Sequence, residues 1–106
     1  MKELENEVDS FVEAIKNTKT YKNFNKTLTA LKKDPELKRK VDEYRKERYD
    51  IQNSDYYDEQ AADNFTEKYA DFIEQPIVGD FLDAENDLCR MLQAITDKVI
   101  DSVNFE

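Results

Sequence analysis

Apolar and polar residues follow one another along most of the chain with the three-and-four spacing of amphipathic α-helices. Five segments carry this pattern, with predicted bounds of 2–17, 18 or 20 to 33, 35–52, 56–74 and 75–103. We expect the last residues, 103–106, to fray. Because the connections are short, sequential helices should pack against each other. The pattern therefore predicts an all-α, antiparallel bundle of about five helices with a long C-terminal helix, forming a single domain over residues 1–106.

Helix-start signals support these bounds. Asp34 can accept a hydrogen bond from the first turn, and Pro35 fits the first helical position, where an amide has no partner anyway. Pro76 has the same role in the last segment, while Thr18 or Thr20 can cap the second. With 1 glycine and 2 prolines among 106 residues, the chain has little material for hairpin turns or phosphate-binding loops.

The last predicted helix carries an apolar face that is wider than one neighbouring helix covers. A helix of this kind is typically the centre of a bundle or one half of a dimer seam. We therefore expect the chain to form a homo-oligomer through this helix. The predicted oligomer interface consists of Val78, Phe81, Leu88, Leu92, Ile95 and Val99.

Two charged residues interrupt the apolar rows. Glu85 occupies a position of the last helix where a hydrophobic residue is expected, and Arg48 does the same in the third helix. A buried charge is very costly unless it is paired. Glu85 and Arg48 are therefore candidates for a buried pair across helices, or for contacts with the hydroxyls of Tyr44 or Tyr69. The alternative is that a carboxylate such as that of Glu85 acts in catalysis.

Charge is distributed unevenly along the chain. Residues 16–48 hold 12 basic and 5 acidic side chains, whereas residues 54–87 hold 11 acidic side chains and Lys68 alone among bases. The basic patch comprises Lys32, Lys33, Lys38, Arg39 and Lys40. It could face a partner, or the Lys32–Arg48 region could bind RNA directly. The alternative is a solvated surface paired with the acidic half, and the net charge of −9 argues against a dedicated nucleic-acid binder.

The acidic residues of the fourth segment recur at a spacing of three and four, which places them on one helical face. We expect this face to be solvated or to face a partner, because the motifs of di-iron and calcium sites are missing. The residues concerned are Asp55, Asp58, Glu59, Asp63, Glu67, Asp71 and Glu74.

Several kinds of chemistry are excluded by composition. The chain has no histidine, which removes the commonest general base and the usual zinc ligand. Cys89 is the single cysteine, and we expect it to be a small packing residue beside Leu88 and Leu92; the alternative is a reactive thiol. The sequence predicts a protein that is not an enzyme and has no cofactor. Without a signal peptide or an apolar run long enough for a membrane span, it should be cytoplasmic.

The last segment also resembles a known family. Gln75-Pro76-Ile77-Val78, then Phe81-Leu82, Ala84-Glu85 and the spaced Leu88 and Leu92 are similar to the signature helix of the YlbF/YmcA, or control-of-competence-regulator, family. The segments 21–36 and 37–52 resemble its middle region and its long third helix. The resemblance covers nearly the whole chain, and its motifs are spaced apolar residues, not a catalytic signature.

The resemblance implies a small bacterial helical protein that associates with itself and with related family members. Some members are accessory factors for ribonuclease Y, through which they influence mRNA processing, competence, sporulation and biofilm formation. Such a protein would be a non-enzymatic adaptor within a ribonuclease complex. Certain members hold cysteines that help to bind iron–sulfur clusters. The segment 101–106 has no cysteine, and this departure speaks against a cluster here.

Overall fold

The computed structural model of the protein describes residues 2–103, and these residues are helical almost throughout. After one 3₁₀ turn, Lys2–Leu4, the α-helices are α1 Glu5–Lys16, α2 Lys19–Lys32, α3 Pro35–Gln52, α4 Glu59–Glu74 and α5 Pro76–Val103. The prediction of an all-α fold with five helices and a long C-terminal helix is confirmed. The predicted fraying covers residues 103–106. Of these, Val103 alone lies within the described range.

Local capping bonds set the starts of three helices. The Thr18 hydroxyl accepts a hydrogen bond from the Tyr21 amide at 3.1 Å, so Thr18 and not Thr20 caps α2. In the same way, Asp34 Oδ1 accepts from the Leu37 amide at 3.1 Å, with Pro35 in the first turn of α3. These bonds satisfy amides that a helix start otherwise leaves without partners.

The predicted start of the fourth helix near Tyr56 is wrong by about one turn. Asp58 has an extended backbone and its Oδ1 accepts a hydrogen bond from the Ala61 amide at 3.2 Å. Because this cap fixes the first turn, α4 begins at Glu59. Tyr56 and Tyr57 consequently belong to the connection between α3 and α4, where they are 83% and 79% exposed.

The core lies where α2, α3 and the first half of α5 meet. Leu31, Val41, Val78 and Phe81 are at most 1% exposed. The ring centroid of Phe81 lies 5.7 Å from that of Phe24, so an aromatic pair joins α5 to α2. The surrounding half-buried residues are Phe24, Leu28, Leu37, Phe72, Ile77 and Leu82.

A second apolar cluster connects α3 to α4. The Tyr44 ring stacks on Phe65 with centroids 5.2 Å apart and meets Tyr69 edge-on at 5.1 Å. Phe72 continues the cluster toward the core, with its centroid 6.5 Å from that of Tyr44. The inward row predicted for α3 therefore packs through Val41 and Tyr44, both of which are buried.

The chain is more extended than a monomer of its size usually is. Its radius of gyration is 17.4 Å, whereas a compact domain of this length would have about 13 Å. Its accessible surface is 8544 Å², against about 6,200 Å² for a folded monomer of the same mass. Among residues 2–103, none of the helices combines the length and the apolar character that a membrane crossing requires.

Candidate functional site

An extended apolar surface is formed by α1 and the second half of α5. Helix α1 has no buried residue, although apolar side chains line one of its faces. In α5 the buried residues are Val78, Phe81 and Ala84, all in its first half. We call the exposed set the α1–α5 surface: Leu4, Val8, Phe11, Val12, Leu92, Val99, Ile100 and Val103, each 37% to 64% exposed.

A cleft of about 400 Å³ runs along this surface. Phe11 lines it on one side, while Ile95, Val99 and Val103 line it on the other. Within residues 2–103, none of the side chains in the second half of α5 is buried. Exposed apolar patches of this extent usually mark a site of interaction.

The structure divides the six residues that the sequence assigned to an oligomer interface. Val78 and Phe81 lie in the chain's own core and are therefore not available to a partner. Leu88 and Ile95 are half-buried, and Leu92 and Val99 are 40% and 54% exposed. An interface on this helix would consequently use its second half, from Leu88 onward, together with α1.

Glu85 lies between two arginines of α3. Its Oε1 is 3.6 Å from Arg48 Nη2, and its Oε2 is 2.6 Å from Arg45 Nη2. The Glu85 side chain is 13% exposed, compared with 43% for Arg45 and 36% for Arg48. The structure thus brings together the two charged residues that interrupt the apolar rows. The Arg48 guanidinium also lies 5.3 Å from the centre of the Tyr44 ring.

The interruption of the apolar rows does not identify Arg45 as a member of this group. Arg45 precedes Arg48 by three residues, so both guanidinium groups leave the same face of α3. This spacing is the signal that could have identified it. Since arginines contact both oxygens of Glu85, the carboxylate is arranged as a link between α3 and α5 and not as a free general base.

Cys89 lines a cleft of about 430 Å³ beside this ion-pair group, together with Tyr44, Arg48 and Glu85. The expectation that Cys89 packs beside Leu88 and Leu92 is wrong, because its side chain is exposed. The helix turns this position toward the open cleft between α3 and α5, where no further element covers it.

The basic patch is partly neutralised within α3 itself. Lys38 Nζ lies 2.6 Å from Asp42 Oδ2, and Arg39 contacts both Glu36, at 2.5 Å, and Glu43. The hydrogen bond from Arg39 and its charge lower the pKa of Glu36. Lys32, Lys33 and Lys40 are exposed and form no ion pair within residues 2–103.

Among the residues described, α4 is joined to α3 by one ion pair, which its lysine makes and none of its carboxylates. Lys68 Nζ donates a hydrogen bond to Glu47 Oε1 at 2.9 Å, which lowers the pKa of Glu47. Burial raises the pKa of the neighbouring Tyr69 hydroxyl, and the hydrogen bond and charge of Glu47 add to this effect. Because Lys68 is engaged in this way, it does not compensate the carboxylates of its own helix.

Within the described part of the chain, no three or more cysteine or acidic side chains converge as a metal site would require. Asp80, Asp83 and Asp87 follow one another along α5 beside Asn23 and Lys26, and they line a polar depression of about 250 Å³.

Residues 2–103 thus fold into a small all-α protein of five α-helices that leaves apolar surfaces open. The chain belongs to the family described as Control of competence regulator ComK, YlbF/YmcA, whose model matches residues 4–104. The family is linked to control of the competence regulator ComK, which is consistent with a regulatory role, and its description is not that of an enzyme. Comparison with curated proteins and with solved structures found no match.

Proposed function

We propose that the protein is a non-enzymatic adaptor that acts through protein–protein interactions and assembles through its α1–α5 surface. The observation that carries this proposal is the large apolar area left open there. The accessible surface of 8544 Å² exceeds the value expected for its mass by about 2,300 Å². This excess belongs to the whole chain, and the part of it that we propose a partner covers is the set of apolar side chains of the α1–α5 surface, each 37% to 64% exposed.

The partner we propose for this surface is a second copy of the chain or a related member of the family. Two such surfaces would bury the apolar side chains of α1 and α5 against their equivalents. The cleft between Phe11 and Val99 would receive side chains from the partner helix. Such an assembly would account for the extended shape of the single chain.

Sedimentation velocity at micromolar concentration tests this proposal. We expect the wild type to sediment as a dimer or larger, and Val99→Asp to sediment as a monomer with unchanged helical content. Val99 is 54% exposed, so the change should not disturb the core. Ile73→Asp is the matched control, since Ile73 is an apolar residue of α4 that is 39% exposed. A wild type of 12.6 kDa in solution would refute the proposal.

We further propose that the adaptor serves mRNA processing as an accessory factor for ribonuclease Y, and through it competence, sporulation and biofilm formation. This part is supported by the family resemblance alone. Its test is binding of the purified wild type to immobilised ribonuclease Y. Failure to bind, with assembly intact, would overturn this part only.

Direct RNA binding is the second candidate. It is favoured by Lys32, Lys33 and Lys40, which are exposed and form no ion pair with any residue from 2 to 103. Against it, the neighbouring Lys38 and Arg39 already contact carboxylates of α3. Binding of an oligoribonucleotide that weakens steeply with salt would favour this candidate.

A further inference from the structure

A second open cleft lies where α3 ends and α4 begins. We call it the α3–α4 cleft, and its volume is about 440 Å³. Ile51 and Phe65 supply apolar walls, Ala62 lies between them, and Tyr57 stands at the mouth with 79% of its surface exposed. A smaller depression, of about 220 Å³, adjoins the cleft and shares Ile51 with it. Both the size and the apolar lining suit a bound side chain or a short segment of chain.

The cleft is apolar because the inward rows of α3 and α4 continue beyond the elements that cover them. The aromatic cluster of Tyr44, Phe65 and Tyr69 closes the space nearer the core. Beyond Phe65, neither α2 nor α5 contributes to the lining. The apolar side chains of the last turn of α3 therefore face an open space.

The surroundings of the cleft are negatively charged. Asp50 and Asp58 line the adjoining depression, and Asp55 lies between them in the connecting segment. Within the described residues none of these three carboxylates forms an ion pair. Arg48 lines the cleft as well, but its charge faces Glu85 at 3.6 Å. The carboxylates of Asp50 and Asp58 would therefore attract a cation at the adjoining depression.

We propose that the α3–α4 cleft binds a basic segment of another protein, which places one apolar side chain between Ile51 and Phe65. Lysine or arginine residues flanking that side chain would meet the carboxylates of Asp50 and Asp58, which line the adjoining depression. They would also meet the ring of Tyr57, whose face attracts cations. Tyrosine beside an apolar pocket is a common centre of binding energy in protein interfaces.

A second copy of this chain fits the cleft less well. Its basic patch lies at the junction of α2 and α3, where the apolar neighbours Leu31 and Val41 are fully buried. That patch therefore offers charge without an apolar side chain to insert. RNA is disfavoured by the same carboxylates that favour a basic peptide.

The inference rests on the proposed function in treating the chain as an interaction protein, and its test has a separate readout. The probe is a short fluorescein-labelled peptide in which leucine is flanked by lysines, and binding is followed by fluorescence anisotropy. One control peptide replaces leucine by serine, and another replaces lysine by glutamate. We expect the serine peptide to bind more weakly and the glutamate peptide not to bind.

Variants then locate the site. Tyr57→Ala should weaken binding of the leucine–lysine peptide by about fivefold, the effect of losing about 1 kcal/mol. Tyr49→Ala is the matched control, because Tyr49 is 65% exposed and does not line the cleft. Amide shifts in an NMR titration should change most at Ile51, Ala62 and Phe65. Circular dichroism confirms that each variant is folded.

Three results would overturn the inference. The first is equal weakening by Tyr57→Ala and Tyr49→Ala, and the second is shift changes centred on the basic patch or on the α1–α5 surface. The third is a change in the sedimentation of Tyr57→Ala with no change in its affinity for the peptide. The cleft would then be a contact between copies of this chain. Loss of self-association through Val99→Asp leaves the inference intact, so the two proposals can fail independently.

Discussion

Removal of the Glu85 carboxylate is the sharpest test of how α3 and α5 are joined. Glu85→Ala leaves Arg45 and Arg48 without the anion that both contact, at 2.6 Å and 3.6 Å. Truncating one partner of a fully buried ion pair costs about 3–5 kcal/mol, whereas a surface pair contributes about 0.2–1 kcal/mol. The ion pairs of Glu85 with Arg45 and Arg48 are neither fully buried nor fully exposed, so we expect a cost between these two values.

The exposed fractions decide the magnitude. Glu85 is 13% exposed and therefore largely shielded, but the arginines are 43% and 36% exposed and can regain water once the carboxylate is gone. We expect Glu85→Ala to lower the free energy of unfolding by about 2 kcal/mol, in the range of hydrogen bonds to charged groups. Glu85→Gln should lose less, because its amide oxygen can still accept from one arginine.

Urea unfolding followed by circular dichroism, at one fixed protein concentration, measures these differences. In a double-mutant cycle, Arg45→Ala should couple to Glu85→Ala more strongly than Arg48→Ala does, because its ion pair is shorter. Asp87→Ala is the matched control, since Asp87 is an exposed carboxylate of the same helix. If Glu85→Ala remains within about 0.5 kcal/mol of the wild type, Glu85 behaves as ordinary surface and the argument fails.

Two further predictions concern the core and the contact between α3 and α4. Phe81→Ala should lower the free energy of unfolding by about 3–5 kcal/mol in the same assay, because removal of a side chain that is 1% exposed leaves a cavity beside Phe24. A loss as small as that at surface positions would contradict the packing described. In the folded state the pKa of Glu47 lies below its ordinary value of 4.5. Above pH 4.5 the ionised Glu47 therefore stabilises the fold through its pair with Lys68. This stabilisation is lost as the pH falls through the lower pKa of the folded state. The stability difference between wild type and Glu47→Gln should therefore shrink between about pH 6 and pH 3. It should be smaller in a Lys68→Gln background, where the hydrogen bond from Tyr69 still lowers the pKa of Glu47. A difference that is constant with pH would disprove the link.

Several features of this protein are determined by local sequence. Asp34 and Pro35 specify the start of α3 because a side-chain acceptor and a missing amide act within one turn. The length of α5 likewise follows from an apolar row that continues without another proline after Pro76, and the row carries the helix past Gly79. The family relation is also carried by the sequence, in the spacing of residues along that helix. The bounds of α4 are the exception, since two acidic residues, Asp55 and Asp58, could each cap it and only one does.

Tertiary packing decided what covers each apolar face. The same periodicity runs through Phe81 and Val99, yet the first is buried in the core and the second is 54% exposed. The ion pair between Arg45 and Glu85 is evident only from the tertiary structure. The same is true of the exposure of Cys89 at an open cleft. The physical reason is that helical periodicity fixes the direction of a side chain relative to its own axis. What that side chain meets depends on where the neighbouring helices lie, and their positions are set by packing between residues far apart in the chain.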